Sequence, residues 1–467
     1  MTKDKFVVLK KYLILGFVIF SISLLTKVLL FQYIIKTNKY YMQPDSVGYI
    51  CCASSLANGK GMYINNEPVF LRSPGYPAYL ALFFKIFGSN NYALLFALLI
   101  QIIFCSFIPI LIGCLAYLIT KSKMAAMLSI IISTGHLGFN LYSCCVHTEG
   151  FSILFSVLFL IFLCKSIQTK HTKVFFIYTI IAATLLIIYA WIRPQAIVLQ
   201  IIMAIIICLI SNIATINKFK QIIIFTSLVI IGCAPWCIRN YKLTGQYFMS
   251  SSMGATLLSF PAPQVLKRKY NLTISEALKI IYQKAKYELE IKKAEYKKKK
   301  SSYVVCKENL ATDVALPVLY KNPFTALLVV IKEIIKTALD PFSSQIKKFI
   351  NNTQNYNPLE ETFGEKYKNV FDSSMPWYLQ LLCISDFILM ILLWIGFFGA
   401  LYLFGYKFIF HKDKNALFNF IFMSIFTLIP ILITGITEGG SRFRITSEPL
   451  MIISACLFWI YITGKRL

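Results

Sequence analysis

Long apolar runs recur along the chain, most of them separated by short polar segments and interrupted by two longer ones. A helix needs about 20 residues to cross the roughly 30 Å hydrocarbon core of a bilayer, and these runs are close to that length. The pattern predicts an all-α polytopic membrane protein with about ten transmembrane helices, within a range of about nine to twelve. The predicted spans are 12–31, 91–119, 124–141, 150–164, 174–192, 196–211, 221–236, 379–405, 416–435 and 449–463.

The lysines predict how the chain is oriented. Short loops rich in Lys and Arg stay on the cytoplasmic side of a membrane. Lysines precede the first span and then occupy alternate loops, among them Lys121, Lys165 and Lys218. Both termini are therefore predicted to be cytoplasmic, in a cell (inner) membrane. The segments predicted to face outward are 32–90, 142–149, 193–195, 236–378 and 436–448.

This topology divides the chain into five regions with two soluble segments on the outer face. The regions are the tail and first span (1–31), the first outer loop (32–90), the transmembrane core (91–236), the second outer segment (237–378) and the last spans (379–467). Within the second outer segment, residues 323–340 are apolar on one side and carry Lys332, Glu333 and Lys336 on the other. That pattern predicts a helix lying in the membrane interface.

Composition narrows the class of partners. Of the 467 residues 57% are hydrophobic and 14% charged, which is too apolar for a soluble core. The formal net charge is +27, but the lysines are spread over membrane loops and the second outer segment. Membrane lipids with anionic headgroups are therefore the expected partner, and nucleic acid is not. The 13 cysteines lack the paired spacing of a zinc site.

Acidic residues are scarce in the first 275 positions, where only Asp4, Asp45, Glu67 and Glu149 occur. Asp45 follows the first span and Glu149 precedes the fourth, both on the predicted outer side. A carboxylate beside hydrocarbon is costly to ionise without compensating groups, so such residues are often functional. The alternative is helix capping, with Asp45 before a helix beginning at Ser46 and Glu149 at a helix N-terminus.

Arginine is placed still more selectively, since only seven of the 47 basic residues are Arg. A guanidinium grips a phosphate through two parallel hydrogen bonds, whereas an ammonium acts as a point charge. Snorkelling or carbonyl capping would explain any one of these residues alone. Together with the carboxylates they indicate a phosphate-bearing substrate at the lipid boundary. Five of the seven map to outer loops or outer span ends: Arg72, Arg193, Arg239, Arg442 and Arg444.

Several stretches of the sequence carry a family pattern. They are PDSVGYICCASSLANGKGMY with LRSPGYPAYLALFFKIFG, HTEGF, WIRPQA, APWCIRNYKLTGQYFMSSSMGATL and GGSRFRITSEPL. In this order, over nearly the whole chain, they resemble bacterial GT-C glycosyltransferases related to protein O-mannosyltransferases and aminoarabinose transferases. The resemblance implies a GT-C-like helix bundle. It also implies transfer of a sugar from a polyprenyl phosphate to a hydroxyl acceptor, with inversion at the anomeric carbon.

The resemblance also implies roles for individual residues. Asp45 becomes the general base or acceptor-orienting carboxylate, with Glu149 as a second catalytic acid. Eukaryotic relatives have two adjacent acids where this chain has Asp45 and Ser46, so a divalent metal stays open and no cofactor is certain. Candidates for holding the donor phosphate are Arg72, Arg193, Arg239, Arg442 and Arg444. Independently of the resemblance, the candidates for contacting the substrate are Tyr49, Tyr76 and His147. An aromatic ring can stack on a sugar, but tyrosine is also enriched at membrane interfaces without any ligand.

The predicted function is a membrane glycosyltransferase acting on the outer or periplasmic face, with a lipid, glycan or protein as acceptor. A flippase or transporter of a lipid-linked sugar would also need outer-face arginines. Such proteins keep charges near the bilayer centre, whereas Lys27 and Asp386 are predicted near span ends. A surface-polysaccharide polymerase or ligase shares the substrate class but uses diphosphate-linked oligosaccharides. Both alternatives stay open.

Overall fold

The computed structural model describes residues 3–38, 42, 45–169, 171–194, 197–210, 214–298, 303–345, 376–433 and 439–464. Apart from one short hairpin, the regular structure in these ranges is helical, which confirms the all-α prediction. The elements in chain order are α1 (Lys3–Asn38), α2 (Ser46–Ala57), β1 (Tyr63–Ile64), β2 (Glu67–Pro68), α3 (Gly75–Phe87), α4 (Asn91–Cys105), α5 (Ile108–Thr120), α6 (Lys123–Gly135), α7 (Leu137–Ser143), α8 (Glu149–Gln168), α9 (Thr172–Ile192), α10 (Ile197–Ile210), α11 (Thr215–Thr244), α12 (Met253–Ser259), α13 (Pro261–Tyr270), α14 (Ile274–Lys298), α15 (Tyr303–Tyr320), α16 (Pro323–Leu339), a 3₁₀ turn (Phe342–Gln345), α17 (Trp377–His411), α18 (Lys414–Ile433), α19 (Ser441–Arg444) and α20 (Glu448–Ile462).

Several of these helices are long and apolar enough to cross a membrane, which supports a polytopic membrane protein. Among the described residues there are seven: Leu13–Lys36, Asn91–Thr120, Glu149–Gln168, Thr172–Ile192, Thr215–Thr244, Trp377–His411 and Lys414–Ile433. Helices α6 and α7 add a candidate bent by 53°, and the pair Asn309–Tyr320 and Pro323–Leu339 adds one bent by 106°. The other two predicted spans coincide with the shorter helices α10 and α20. The predicted count of about ten is therefore not confirmed.

Helix α8 lies at the centre of the bundle. In its apolar window 78% of the residues are buried, compared with 11% in α1. A helix that is apolar on every side is stable when other helices surround it, and α4, α5, α7 and α9 pack against α8. Since Glu149 is the first residue of α8, this buried helix fixes the position of that carboxylate.

The first outer loop folds into helices α2 and α3 with a β-hairpin between them. The strands β1 and β2 are antiparallel, and the turn residues Asn65 and Asn66 have positive φ angles of 52° and 64°. Asparagine tolerates this left-handed backbone better than most residues. The all-α prediction did not include this hairpin, because two-residue strands are too short to show alternation. Ser73 Oγ donates to the Ile192 carbonyl at 2.9 Å and ties the loop to α9.

The second outer segment contains helices α12 to α15, which share a small apolar core. Helix α11 continues past the predicted boundary at 237 to Thr244 and is followed by Gly245, whose φ is 75°. The first helix likewise continues past 31 to Asn38. The core residues of this segment are Leu257, Leu258, Ala262, Ile281, Leu310, Ala311, Val314 and Ala315.

Helix α16 turns its polar side toward the protein. Glu333 and Lys336 are buried, with Lys336 Nζ 3.4 Å from Glu333 Oε2. Gln264 Nε2 donates to Glu333 Oε1 at 2.9 Å. The opposite, apolar side is exposed, with Leu327 54% and Ile335 46% accessible. An exposed apolar side is the surface expected to meet lipid, and the interfacial location of α16 stays a prediction.

Two charged side chains of the predicted spans are buried within the bundle. Lys27 of α1 is fully buried, and its Nζ donates to Ser23 Oγ at 2.8 Å. Asp386 is buried in α17 and accepts a hydrogen bond from the Ser343 backbone N–H at 2.8 Å. Each charge thus has a local partner, and the location of both residues near span ends stays a prediction.

Candidate active site

Asp45 lies just before helix α2, in the position from which a side chain often caps a helix. Its carboxylate makes no capping hydrogen bond. Instead Oδ1 accepts a hydrogen bond from Arg72 Nη2 at 2.6 Å, and Oδ2 accepts one from Arg442 Nη2 at 2.8 Å. The capping interpretation of Asp45 is therefore wrong. The side chain is held by two arginines from distant parts of the chain.

Glu149 begins helix α8 and is fully buried. Its Oε1 accepts a hydrogen bond from Arg442 Nε at 2.6 Å and lies 3.4 Å from Arg193 Nη2. Its Oε2 contacts Nδ1 of His147 and accepts a hydrogen bond from Thr148 Oγ1 at 3.3 Å. A buried carboxylate is costly unless it is paired and hydrogen-bonded, and these contacts satisfy that requirement. The start of a helix favours the negative charge as well.

Arg442 joins the two carboxylates, and a short turn fixes its position. The preceding Ser441 donates to Asp340 Oδ2 from its backbone N–H at 2.8 Å and from its hydroxyl at 3.0 Å. The Gly440 N–H donates to Thr337 Oγ1 at 3.1 Å. With the turn held against the end of α16, the planar guanidinium directs Nε and Nη2 at different carboxylates. A lysine ammonium lacks this fixed fork.

These contacts define what we call the acid–arginine cluster, which has an exposed rim and a buried floor. On the rim, the side chains of Asp45, Arg72 and Arg442 are 26%, 30% and 27% exposed. On the floor, His147 and Glu149 are 1% and 0% exposed. A ligand entering the site therefore meets the rim first. The members of the cluster are Asp45, Arg72, His147, Glu149, Arg193 and Arg442.

The acid–arginine cluster carries more positive than negative charge. Burial, followed by the charge of Arg442, lowers the pKa of His147 to about 3, so the imidazole is neutral near pH 7. Burial alone would raise the pKa of Asp45. The charges of Arg442 and Arg72 outweigh burial and hold that pKa well below its usual range. Three guanidiniums thus face two carboxylates, an excess of one positive charge that suits an anionic ligand.

Two tyrosines pack beneath Arg72: Tyr49 contacts the guanidinium, and Tyr76 contacts Tyr49. The Arg72 guanidinium lies 5.0 Å from the centre of the Tyr49 ring, and the Tyr49 and Tyr76 rings meet edge to face at 5.3 Å. Tyr76 is fully buried and donates its hydroxyl hydrogen to Gln101 Oε1 at 3.0 Å. The structure places the Tyr76 ring in the core, and its predicted contact with a substrate stays a prediction. Tyr49 is 6% exposed and supports Arg72.

Arg239 lies outside the acid–arginine cluster. Its guanidinium donates to the carbonyls of Met62 and Val69, each at 3.2 Å, and stacks 4.6 Å from the centre of the Trp236 ring. These contacts fasten the hairpin to helix α11. The structure thus does not bring Arg239 together with the other predicted phosphate-binding arginines, and its guanidinium holds the first outer loop in place.

Arg444 also has a structural environment. It is 1% exposed, its Nε donates to Glu448 Oε1, and its Nη1 donates to the carbonyls of Thr337, Ala338 and Asp340 at 2.8, 2.7 and 3.1 Å. The guanidinium thereby satisfies the last carbonyls of α16, which have no partner within the helix. The structure thus places Arg444 outside the acid–arginine cluster, among these backbone carbonyls.

Several residues that shape the site were not singled out from the sequence. Ser46 Oγ donates to the Val146 carbonyl at 2.7 Å and holds the turn of His147 against α2. Gln101 Nε2 donates to the carbonyls of Ser143 and Cys145 at 3.0 and 2.9 Å. A lone glutamine inside the apolar run 91–119 was an available signal for Gln101. Asp340, which holds the turn of Arg442, gave no comparable signal.

The side chains of the acid–arginine cluster do not suit a divalent cation. Both oxygens of Asp45 and one oxygen of Glu149 accept guanidinium hydrogen bonds, and the other Glu149 oxygen contacts His147. A cation bound there would lie against Arg72, Arg193 and Arg442. Among the described residues, no group of three or more His, Cys, Asp or Glu side chains is arranged to hold a metal.

Comparisons with known proteins find similar structures but no similar sequences. Neither a protein-family model nor a curated protein sequence matches this chain. The chain is similar to the apo oligosaccharyltransferase of Archaeoglobus fulgidus, with a TM-score of 0.53 and 12% identity over 96% of this chain and 51% of that one. It is also similar to apo ArnT from Cupriavidus metallidurans, with a TM-score of 0.38 and 10% identity over 91% of this chain and 77% of that one.

The first similarity confirms the predicted GT-C-like fold. The chain spans about half the length of the oligosaccharyltransferase it matches. At 12% identity the likeness shows the fold alone, because one fold hosts many activities and function depends on the site. With its TM-score of 0.38, the similarity to ArnT carries no further inference.

Proposed function

We propose that this protein is a membrane glycosyltransferase that moves a sugar from a polyprenyl phosphate to a hydroxyl group on the outer face of the cell membrane. The observation that carries the proposal is the double hydrogen bond of Arg442 to Asp45 and Glu149. It joins acids and arginines from distant parts of the chain within a GT-C-like fold. The sequence resemblance supports the donor class, and the lysine distribution supports the side of the membrane.

The reaction uses Asp45 as the proton acceptor. The acceptor oxygen attacks the anomeric carbon from the side opposite the phosphate, so the configuration inverts. As this C–O bond forms, the bond between the anomeric carbon and the phosphate oxygen breaks, and its electron pair stays on the phosphate. The acceptor's proton passes to the carboxylate of Asp45. A positioned general base of this kind contributes about 10²- to 10⁴-fold to a rate.

The arginines stabilise the departing phosphate. Arg72 and Arg442 lie on the exposed rim, where a lipid-linked phosphate can reach them. Arg193 stands behind them with 12% of its side chain exposed. Charge builds on the phosphate as its bond to the sugar breaks, so fixed guanidiniums stabilise the transition state more than the bound donor. The excess positive charge of the cluster suits this task.

Reconstitution tests the proposal against its alternatives. The full chain in liposomes is given a labelled polyprenyl-phosphate sugar, a diphosphate-linked oligosaccharide, and lipid, glycan or peptide acceptors. Transfer from the monophosphate donor is the expected result. Movement of labelled lipid across the bilayer without product would identify a flippase, and use of the diphosphate donor alone would identify a polymerase or ligase. Mass spectrometry of glycans from a deletion strain then identifies the acceptor.

A further inference from the structure

His147 lies between the two carboxylates of the acid–arginine cluster. Its Nδ1 contacts Glu149 Oε2, and its Nε2 lies 3.6 Å from Asp45 Oδ2. That second separation is too long for a hydrogen bond. Nε2 is buried and has no hydrogen-bond partner among the described residues. Buried polar atoms are nearly always satisfied, so this unpaired nitrogen beside the proposed base needs an explanation.

The contacts of Nδ1 decide which ring nitrogen carries the proton. The Thr148 backbone N–H points at Nδ1 from 3.1 Å, while Glu149 Oε2 contacts the same nitrogen. One nitrogen of a neutral imidazole either donates or accepts. Glu149 faces Arg442 and Arg193, so it is ionised and is the stronger partner. Nδ1 therefore carries the hydrogen, and Nε2 presents a lone pair to Asp45.

Two hydrogen-bond acceptors, Asp45 Oδ2 and His147 Nε2, thus face each other with no hydrogen atom between them. Asp45 Oδ2 and His147 Nε2 repel each other in this state, and one added proton would turn the repulsion into a hydrogen bond. The acceptor hydroxyl of the proposed reaction supplies such a proton. Because the two atoms are already 3.6 Å apart, only a small movement is needed to form this hydrogen bond.

We propose that His147 receives the proton that Asp45 takes from the acceptor hydroxyl; this inference rests on the proposed glycosyl transfer. The O–H bond of the acceptor breaks and an O–H bond forms on Asp45. That bond then breaks as an N–H bond forms at His147 Nε2. The ionised Glu149 stabilises the resulting imidazolium through Nδ1–H. Asp45 is restored as a carboxylate, and His147 acts through Asp45 without touching the substrate.

Binding of the sugar donor favours the transfer of the proton from Asp45 to His147. In the donor-free site the charges of Arg442 and Arg193 oppose a proton on His147. A phosphate held by these arginines partly cancels their charge, so the imidazolium becomes less costly. Binding of the donor phosphate thus makes His147 easier to protonate. The charged and titratable groups that face His147 are Asp45, Glu149, Arg193, Arg442, Tyr49 and Tyr142.

Kinetics of the reconstituted full chain test the relay. His147→Asn keeps an N–H near the Nδ1 position for Glu149 but accepts no proton. We expect kcat to fall by about 10²-fold with an unchanged KM for the donor. The wild-type kcat should also fall on acidification as the imidazole of the donor complex takes a proton from solvent, and the variant should lose this dependence. His171→Asn, at an exposed histidine between α8 and α9, is the control.

The protonation state gives a second readout that needs no turnover. The chain has only four histidines, so ¹⁵N-labelled imidazoles can be resolved by NMR in detergent and assigned with the two variants. We expect a neutral Nδ1–H tautomer for His147 at pH 7. An Nε2–H tautomer, or unchanged kcat in His147→Asn with an active wild type, would overturn the relay alone. A wild type that transfers no sugar would overturn the proposed function on which the relay rests.

Discussion

Arg442 Nη2 lies 2.8 Å from Asp45 Oδ2, although 397 positions separate the two residues in the sequence. The contact joins the last part of the chain to the loop that follows the first helix. Arg442 Nε binds the buried Glu149 at the same time. One guanidinium therefore fixes the distance between the exposed carboxylate and the floor of the acid–arginine cluster.

Arg442→Lys should impair transfer strongly although it keeps the positive charge. An ammonium cannot direct two fixed N–H groups at Asp45 and Glu149 while also meeting a phosphate. We expect kcat to fall by at least about 10²-fold, the size of effect seen when one donor to a developing anion is removed. Steady-state kinetics in liposomes measure it. Arg268→Lys, at an exposed position of α13, is the matched control.

If Arg442→Lys has the same kcat as the control, charge alone suffices at this position. In that case the fork of Arg442 would have no part in the reaction. A fall in kcat together with loss of folded protein would point to stability instead, so the unfolding temperature of each variant is measured in parallel.

Acid should destabilise the protein through His147. The pKa of this imidazole is about 3 in the folded protein and about 6.5 in an unfolded chain, so below pH 6.5 the unfolded state binds more protons. Stability therefore decreases from pH 6.5 toward pH 3 by about 1.4 kcal/mol per pH unit for this group. Asp45 has a lowered pKa, so its contribution is lost only below its ordinary value near 4.

Unfolding in detergent between pH 7 and pH 5 tests this effect. The wild type should lose about 2 kcal/mol from His147 between pH 6.5 and 5, and His147→Asn should lose correspondingly less. His171→Asn should follow the wild type. Parallel curves for the wild type and His147→Asn would mean that the imidazole is not buried in its neutral form.

Gly75 should not tolerate a methyl group. A Cβ at this position would lie 2.7 Å from the backbone carbonyl atoms of Trp191, at the end of α9. Gly75→Ala should therefore push the first outer loop away from α9 and displace Arg72, at a cost of about 1–3 kcal/mol. Gly135→Ala is the control, because nothing lies within 4 Å of its added Cβ. Equal unfolding temperatures and equal transfer in the two variants would contradict the close packing.

Residue scarcity explains why much of the site was predictable from the sequence. Asp45 and Glu149 are two of four acids in the first 275 positions. An ionised carboxylate near hydrocarbon is costly in free energy, so it needs a partner. The few arginines were natural partners, and three of the five predicted ones do join the cluster. The helices were predictable because ten apolar runs of near-spanning length leave few alternatives.

Other features had no local signal. Arg239 and Arg444 have the same residue type and predicted side as Arg442, and only tertiary contacts show that they bind backbone carbonyls. His147 looked like a substrate contact, and its place between two carboxylates depends on how the turn before α8 folds. Side-chain direction in turns and the pairing of distant segments are set by tertiary packing, which composition does not encode.

The most direct test of the account is the transfer activity of Asp45 variants. The wild type, Asp45→Asn and Asp45→Ala are reconstituted in liposomes with a labelled polyprenyl-phosphate sugar, beside Asp313→Asn at an exposed aspartate. Membrane insertion and unfolding temperature are checked for each protein. We expect both Asp45 variants to insert normally and to lose transfer, while Asp313→Asn retains it. Near-normal transfer by both Asp45 variants would contradict the central claim that this carboxylate takes the acceptor's proton.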